Sequence, residues 1–397
     1  MKKVLDEGLK MDVFKTAPDF DKGVFQEALE AALKKLEGNV EQFTDFFPHA
    51  WSKNNVYYPK EENRNWTEGF WTGMMWLAWE ITADERYRKA TEVQVDRFIH
   101  RIDNKIAVDH HDMGFLYSLS CVAAFKLTGS EKAKTAALKA ADQLSNRYLE
   151  PAGIIRSWSG GEFDEPDKRG NVIIDSMMNM PLMYWASEVT GNPEYRERAE
   201  SHAERTLDNI VREDASTYHM FLFDSETGEP RFGRTAQGHS DTSCWTRGQA
   251  WAIYGSILNY RYTKNEDLLM SCKALANYFL NRSPSDLVVY WDFDFTDGSG
   301  ELRDTSASAI TVCGLLELAK WLPEGEEKQY YTNAAFKILK SLVDNYSTIH
   351  NEDSNALLLH VVGSIPHNMG IDEACLFGCY YYLEALVRVT REWELYW

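Results

Sequence analysis

No long apolar run occurs anywhere in the 397 residues, and the opening stretch MKKVLDEGLKMDVF is too polar for a leader peptide or a membrane span. A cytoplasmic protein is therefore expected. Positive charge is scarce: 42 Lys and Arg stand against 61 Asp and Glu, a formal net charge of -19. Such a field repels nucleic acid and anionic membranes, so neither is expected as a partner, and an acidic ligand would need a local cationic pocket. Cysteine is sparse and unpatterned. Cys121, Cys244, Cys272 and Cys313 are isolated, and Cys375 and Cys379 lie four apart with no second pair to make a zinc knuckle. Buried free thiols in a reducing compartment are the expectation. A Pro/Ser-rich linker and low-complexity tracts are also missing, so residues 1–397 read as a single domain, with enough apolar residues for one large core.

What is present is a repeated helical plan. An inner type, apolar nearly all round, is followed by a polar turn and an outer type with one apolar stripe. Met113–Leu127 is of the first type; the second follows it, with Ala133, Ala137, Ala141, Leu144 and Tyr148 spaced by three or four. The pattern recurs from Gly69, Ser176, Arg247 and Asp304, and the segment from Glu373 supplies one more inner helix, which the helix around Phe25–Leu36 can partner. All-round burial in one set and single-stripe burial in the other predict concentric rings: an all-α (α/α)6 barrel of inner and outer helices, with an open solenoid as the alternative. Tyr218–Phe223 and Val288–Asp294 look β-like but are too short and scattered for a separate sheet domain.

Parallel inner helices bring their N-terminal ends to one mouth, and polar residues gather there. Asp112, Asp175, Arg247 and Asp304 each open an inner segment. Asp is a preferred N-cap, and for Asp304 in RDTSASA that reading leads. Asp175 follows Val172-Ile173-Ile174, which should bury it and raise its pKa as a general acid requires; cap and catalyst both stay open. The run Asp109-His110-His111-Asp112 is adjacent rather than spaced for shared ligation, so no metal is expected; His111 and Asp112 are placed in the pocket and His110 turned away. In QGHSDTSCWTRGQAW, Arg247 suits a carboxylate ligand and the tryptophans suit sugar rings, the bland alternative being an internal ion pair for Arg247.

DHHDMGFLY, NVIIDSMMNMPLMYWA, QGHSDTSCWTRGQAWAIYG and TDGSGELRDTSASA, in that order, resemble the unsaturated glucuronyl hydrolases, family 88 of glycoside hydrolases. The resemblance runs from about Asn65 to the C-terminal helix. It implies an (α/α)6 barrel that needs no metal or other cofactor. It also implies a substrate: short glycosaminoglycan oligosaccharides, made by lyases, that carry a 4,5-unsaturated uronic acid at the non-reducing end. The C4=C5 enol ether is hydrated, and the resulting hemiketal opens to release the remaining sugar. Asp175 falls on the family's general acid/base and Asp112 on its second essential acid. Gln237, Arg247, His219, Trp245 and Trp251 fall on substrate-binding positions, as do Trp66, Phe70, His111, Phe115, Trp158 and Ser364. Members favouring sulfated disaccharides carry serines and a lysine in the loop before the last helix; here Ser364 matches one serine, while His367 and Met369 stand where a serine and the lysine would be. A preference for unsulfated, or differently sulfated, disaccharides is expected. The alternatives are an unsaturated rhamnogalacturonyl hydrolase acting on pectin fragments, a non-catalytic carbohydrate-binding barrel, and a sugar epimerase.

Overall fold

The structure is a computed structural model and describes residues 4–60 and 62–397, so Met1–Lys3 of the opening stretch lie outside the described residues. Five helical hairpins follow one another: Glu68–Thr82 with Glu85–Asp103, 113–128 with Glu131–Ser145, Met180–Thr190 with Pro193–Ile210, Thr246–Thr263 with Glu266–Leu280, and Thr305–Trp321 with Glu326–Asn345. The sixth pair joins distant sequence. Leu376–Thr390 packs on Gly23–Asn39 and also touches both Thr305–Trp321 and Glu68–Thr82, so the ring closes. This is the (α/α)6 barrel.

The two helix types sort as their patterning requires. Residues 246–260 are buried without exception, as are 305–315, whereas Glu131–Ser145 buries only Ala133, Ala136, Ala137, Ala140, Ala141, Leu144 and Ser145. Tyr148 of the expected stripe lies past the helix, in the short strand Tyr148–Leu149. Inner helices can approach closely where side chains are absent: a Cβ on Gly69 would fall 2.1 Å from the Phe115 carbonyl oxygen. The inner helix 113–128 carries one wide π turn, Ser118–Val122.

Short sheets frame the N-terminal ends of the inner helices. Gly170–Ile173, Met220–Phe223 and Pro230–Arg234 form an antiparallel three-stranded sheet, and Val361–Ser364 pairs with Met369–Glu373. The other β-like stretch, Val288–Asp294, makes only isolated bridges through Tyr290 and Asp292. Gly170–Ile173 runs directly into the 3-10 turn Ile174–Met178, and Met369–Glu373 leads into the Leu376 helix. The mouth is thus built where strands hand over to helices. No helix among the described residues is long and apolar enough to cross a membrane.

Candidate active site

A cavity of about 600 Å³ opens at this mouth. Trp158 and Gln237 line it, together with Asp109, His110, Phe163, Arg234, His367 and Met369. Asp112 and Asp175 are buried, each 8% exposed, with Asp112 3.1 Å from the cavity-lining His110.

Asp175 enters the 3-10 turn straight from the strand, flanked by Ile173 and Ile174, which are themselves buried. Its side chain caps nothing, and Oδ1 is buried without a hydrogen-bond partner. Burial, then the charge of Asp112, push its pKa up to about 7, against a backbone hydrogen bond at Asp175 itself and the charge of Arg247. Asp112 has the opposite balance. Burial pushes it up, but His111, His110 and Arg147 together hold it below the usual carboxylate range. Two neighbouring carboxyls are therefore divided into one that keeps its proton near neutrality and one that stays ionised, the separation that acid–base chemistry needs.

The histidines differ from expectation. His110 is not turned away: it lines the cavity, and its Nδ1 lies 3.1 Å from Asp112. His111 is fully buried, held neutral by burial at a pKa of about 4. Residues 106–112 form an irregular loop, with Ala107 at φ 46°, so helical spacing does not decide where these side chains point. Asp109 lines the cavity too but pairs with Arg147, which also donates to Ser159 at 3.3 Å and to the Ser157 carbonyl at 3.1 Å. Among the described residues no three His, Cys, Asp or Glu side chains are grouped to hold a metal. His219 accepts backbone N–H bonds from Ala236 (3.0 Å) and Gln237 (3.2 Å) at Nδ1, which assigns its proton to Nε2. That N–H is buried with no partner, beneath Trp245, whose ring centroid is 4.6 Å away.

Arg247 takes the internal ion pair. Nη1 donates to Asp304 and to the Val362 carbonyl (2.7 Å), and Nη2 to Gln237 Oε1 (3.0 Å) and the Gly363 carbonyl. Its guanidinium lies over Trp245 (4.5 Å) and Phe377 (5.0 Å). Asp304 also receives the Ser306 amide at 3.2 Å, so the expected cap is present alongside the ion pair. Trp66 is half-buried and stacks on Phe377 at 5.2 Å. Phe70, Phe115 and Trp251 pack below it and are buried like His111, so these four support the floor rather than line it. Each such aromatic contact adds about 0.5–1.5 kcal/mol beyond simple burial. Ser364 is buried too, hydrogen-bonded to His367 at 2.8 Å.

Sequence reasoning missed Arg234, a cation on the cavity wall with no acidic partner among the described residues. It also missed Phe163, which packs on Trp158 at 5.0 Å. Phe377 could have been found, since it opens an inner helix just as Asp112 and Arg247 do.

The family model described as Glycosyl Hydrolase Family 88 matches residues 39–394. The unsaturated chondroitin disaccharide hydrolase of Streptococcus agalactiae serotype III (strain NEM316) is 46% identical over 373 residues, 94% of this chain and 93% of its own. The unsaturated glucuronyl hydrolase of Bacillus sp. (strain GL1) is 44% identical over 375 residues, covering 94% and 99%. A crystal structure of unsaturated glucuronyl hydrolase from Streptococcus agalactiae superposes with a TM-score of 0.96 at 45% identity, over 100% of both chains.

Proposed function

The chain belongs to glycosyl hydrolase family 88, and from that premise we propose that it hydrates the C4=C5 enol ether of a 4,5-unsaturated uronic acid at the non-reducing end of lyase-derived glycosaminoglycan disaccharides and short oligosaccharides. Relatives named for unsaturated chondroitin disaccharide, and a streptococcal structure with dGlcA-GalNAc6S, support that substrate class over pectin fragments. The observation that carries the chemistry is the buried Asp175 carboxyl with an unpartnered oxygen and a pKa of about 7. Its proton goes to C4, and the positive charge that develops is shared between C5 and the ring oxygen. Water then adds to C5 and returns a proton to the Asp175 carboxylate. The product is a hemiketal at C5, whose opening releases the next sugar.

Asp112, ionised, accepts hydrogen bonds from ring hydroxyls. The Nε2–H of His219 and the Trp66, Trp158 and Gln237 side chains suit the remaining contacts. Both terminal nitrogens of Arg247 already donate to protein oxygens, so it offers charge more than free donors; Arg234 adds a second cation for the uronate in an otherwise acidic protein. Phe70, His111, Phe115, Trp245 and Trp251 shape the floor, and Ser364 holds the loop through His367. Residues 1–397 act as one catalytic domain, a reading supported by a core cluster that runs from Phe14 to Trp397. A reducing cytoplasm suits six free buried thiols.

The test is a panel of unsaturated chondroitin, hyaluronan, heparin and rhamnogalacturonan disaccharides, followed by loss of the enol-ether ultraviolet band. Turnover of glycosaminoglycan members is expected, and it should decline above about pH 7 as Asp175 loses its proton. No loss of the band on any member would sink the assignment.

A further inference from the structure

Asp112 stands immediately before the first turn of the inner helix 113–128, where an Asp ordinarily folds its carboxylate back onto the amide two or three residues on. It makes no such bond. The amide of Phe115, the third helical residue, donates instead to Oδ1 of Asn179 at 2.9 Å. Asn179 stands before a helix of its own, Met180–Thr190, and does not cap it. Its Nδ2 donates to the Asp175 carbonyl at 3.3 Å. The approach depends on Gly114, since a Cβ there would fall 2.5 Å from the Asn179 Cα. One fully buried amide therefore links the turn behind Asp112 to the turn that carries Asp175.

We propose that Asn179 is a positioning residue: it caps the helix in place of Asp112, leaving the Asp112 carboxylate, flanked by His110 (3.1 Å) and His111 (3.3 Å), turned to the substrate and fixing its spacing from Asp175. The effect on rate rests on the proposed roles of those two acids; the exchange of caps does not. Without the Asn179 side chain the buried Phe115 N–H lacks an acceptor, an unfavourable state, and the Asp112 carboxylate is the acceptor placed to relieve it. Asp112 then turns from the pocket toward its own helix.

The consequence for Asp175 has a definite sign. The titratable and charged groups around its turn are Asp112, with His111 3.3 Å from it, Arg247 from the Thr246–Thr263 helix, His202, which lies 2.8 Å from Ser176, and His219, whose carbonyl accepts from the Ile174 amide at 3.0 Å. Burial keeps the three histidines neutral, Asp112 raises Asp175, and Arg247 lowers it. Moving the Asp112 charge away therefore lowers Asp175.

Two measurements on Asn179→Ala test this. In thermal melts, Asp112→Ala should lower Tm by about 1–3 °C more in the Asn179→Ala background than in the otherwise native chain, because only there does Asp112 cap the helix. An equal drop in both backgrounds overturns the proposal. This readout needs no substrate, so it stands even if no disaccharide is turned over. Asn179→Asp keeps an acceptor for Phe115 and should restore the native pattern of melts. In the pH profile of kcat/KM, the alkaline limb should move down by about half a unit or more. A packing role would lower Tm and leave the limb in place, and a limb that stays put with active Asn179→Ala protein refutes the positioning role. Asn179→Ser, whose hydroxyl is too short to reach both partners, carries the same expectations where the Ala variant does not fold.

Discussion

The barrel buries carboxylates at both ends, and Glu317 at one and Asp175 at the other are treated in opposite ways. At the C-terminal ends of the inner helices, Arg388 donates to Glu317 and Glu384; Trp321 Nε1 completes Glu317 at 3.1 Å, and Tyr254 and Trp397 (3.1 Å) complete Glu384. Burial pushes Glu317 up, yet Arg388 and Lys320 bring it below its ordinary value. At the mouth, Asp175 faces a second carboxylate instead of a cation in contact, keeps an oxygen unpaired, and rises to about 7. Equal burial gives opposite protonation, decided by what stands at hydrogen-bonding distance. One end pairs its carboxylates with a cation. The other keeps a carboxyl protonated at a pH where an exposed one would be ionised.

The largest expected effect is at Asp175. Asp175→Asn should reduce kcat by on the order of 10²–10⁴ while the fold is retained. Stability should move the other way. The native carboxyl resists ionisation, so its cost is absent below the ordinary carboxylate range, grows as pH rises to about 7, and then levels off. Asp175→Asn should therefore gain up to about 1–4 kcal/mol in urea melts at about pH 8 and less at about pH 5. Equal stability at both pH values would mean the native carboxyl is not held protonated by its surroundings.

Arg388→Met at the opposite end should cost about 3–5 kcal/mol, since it strands two buried carboxylates. The sign with pH is reversed. Glu317 contributes stability that is present above its unfolded value of 4.5 and lost as pH falls through its lower folded value, so the penalty should shrink in acid. Melts across that range decide whether the two ends are the contrasting pair described.

Asp112→Asn should lose about 10–100-fold in kcat/KM, the range for removing a charged acceptor. Chelators should leave the native rate unchanged. Activity abolished by a chelator and restored by zinc would bring back a metal role for Asp109–Asp112.

The smallest effect concerns the loop tip. Met369 is 47% exposed and lines the cavity with His367 and Arg234. We expect Met369→Lys to raise kcat/KM for a sulfated disaccharide relative to its unsulfated twin by a few-fold, about 0.3–1 kcal/mol. An unchanged ratio would show that this hairpin does not set sulfate preference.

How much of this was legible depended on whether the signal was local. Periodicity sets burial along a helix, so the two rings, the partner for Leu376–Thr390 and the Asp304 cap could be read directly. Position at the start of an inner helix marked Asp112, Asp175 and Arg247. It could not separate lining from support: Trp66 faces partly outward, while Trp251 is sealed between Phe115 and Phe377, and both look alike in a string of letters. His110 lines the cavity and His111 is sealed beside Asp112 at 3.3 Å, a placing that spacing does not give because the loop that bears them has no period. Arg234, and the reach of Asn179 across to Phe115, arise from segments that meet only after the ring closes.

That closure also orders events in time. The helix Gly23–Asn39, with its apolar stripe Phe25, Ala28, Leu29, Ala32 and Leu36, packs chiefly on Leu376–Thr390, some 350 residues later, while Phe25 stacks on Phe336 of Glu326–Asn345. During synthesis this stripe remains open until nearly all the rest has been made, with the partly built ring exposing a seam on either side. Contacts of such separation form late and slowly, and the unsealed seam is where a nascent chain would stick to its neighbours. Chaperone demand and aggregation during expression should therefore track changes along this seam more closely than changes at the mouth.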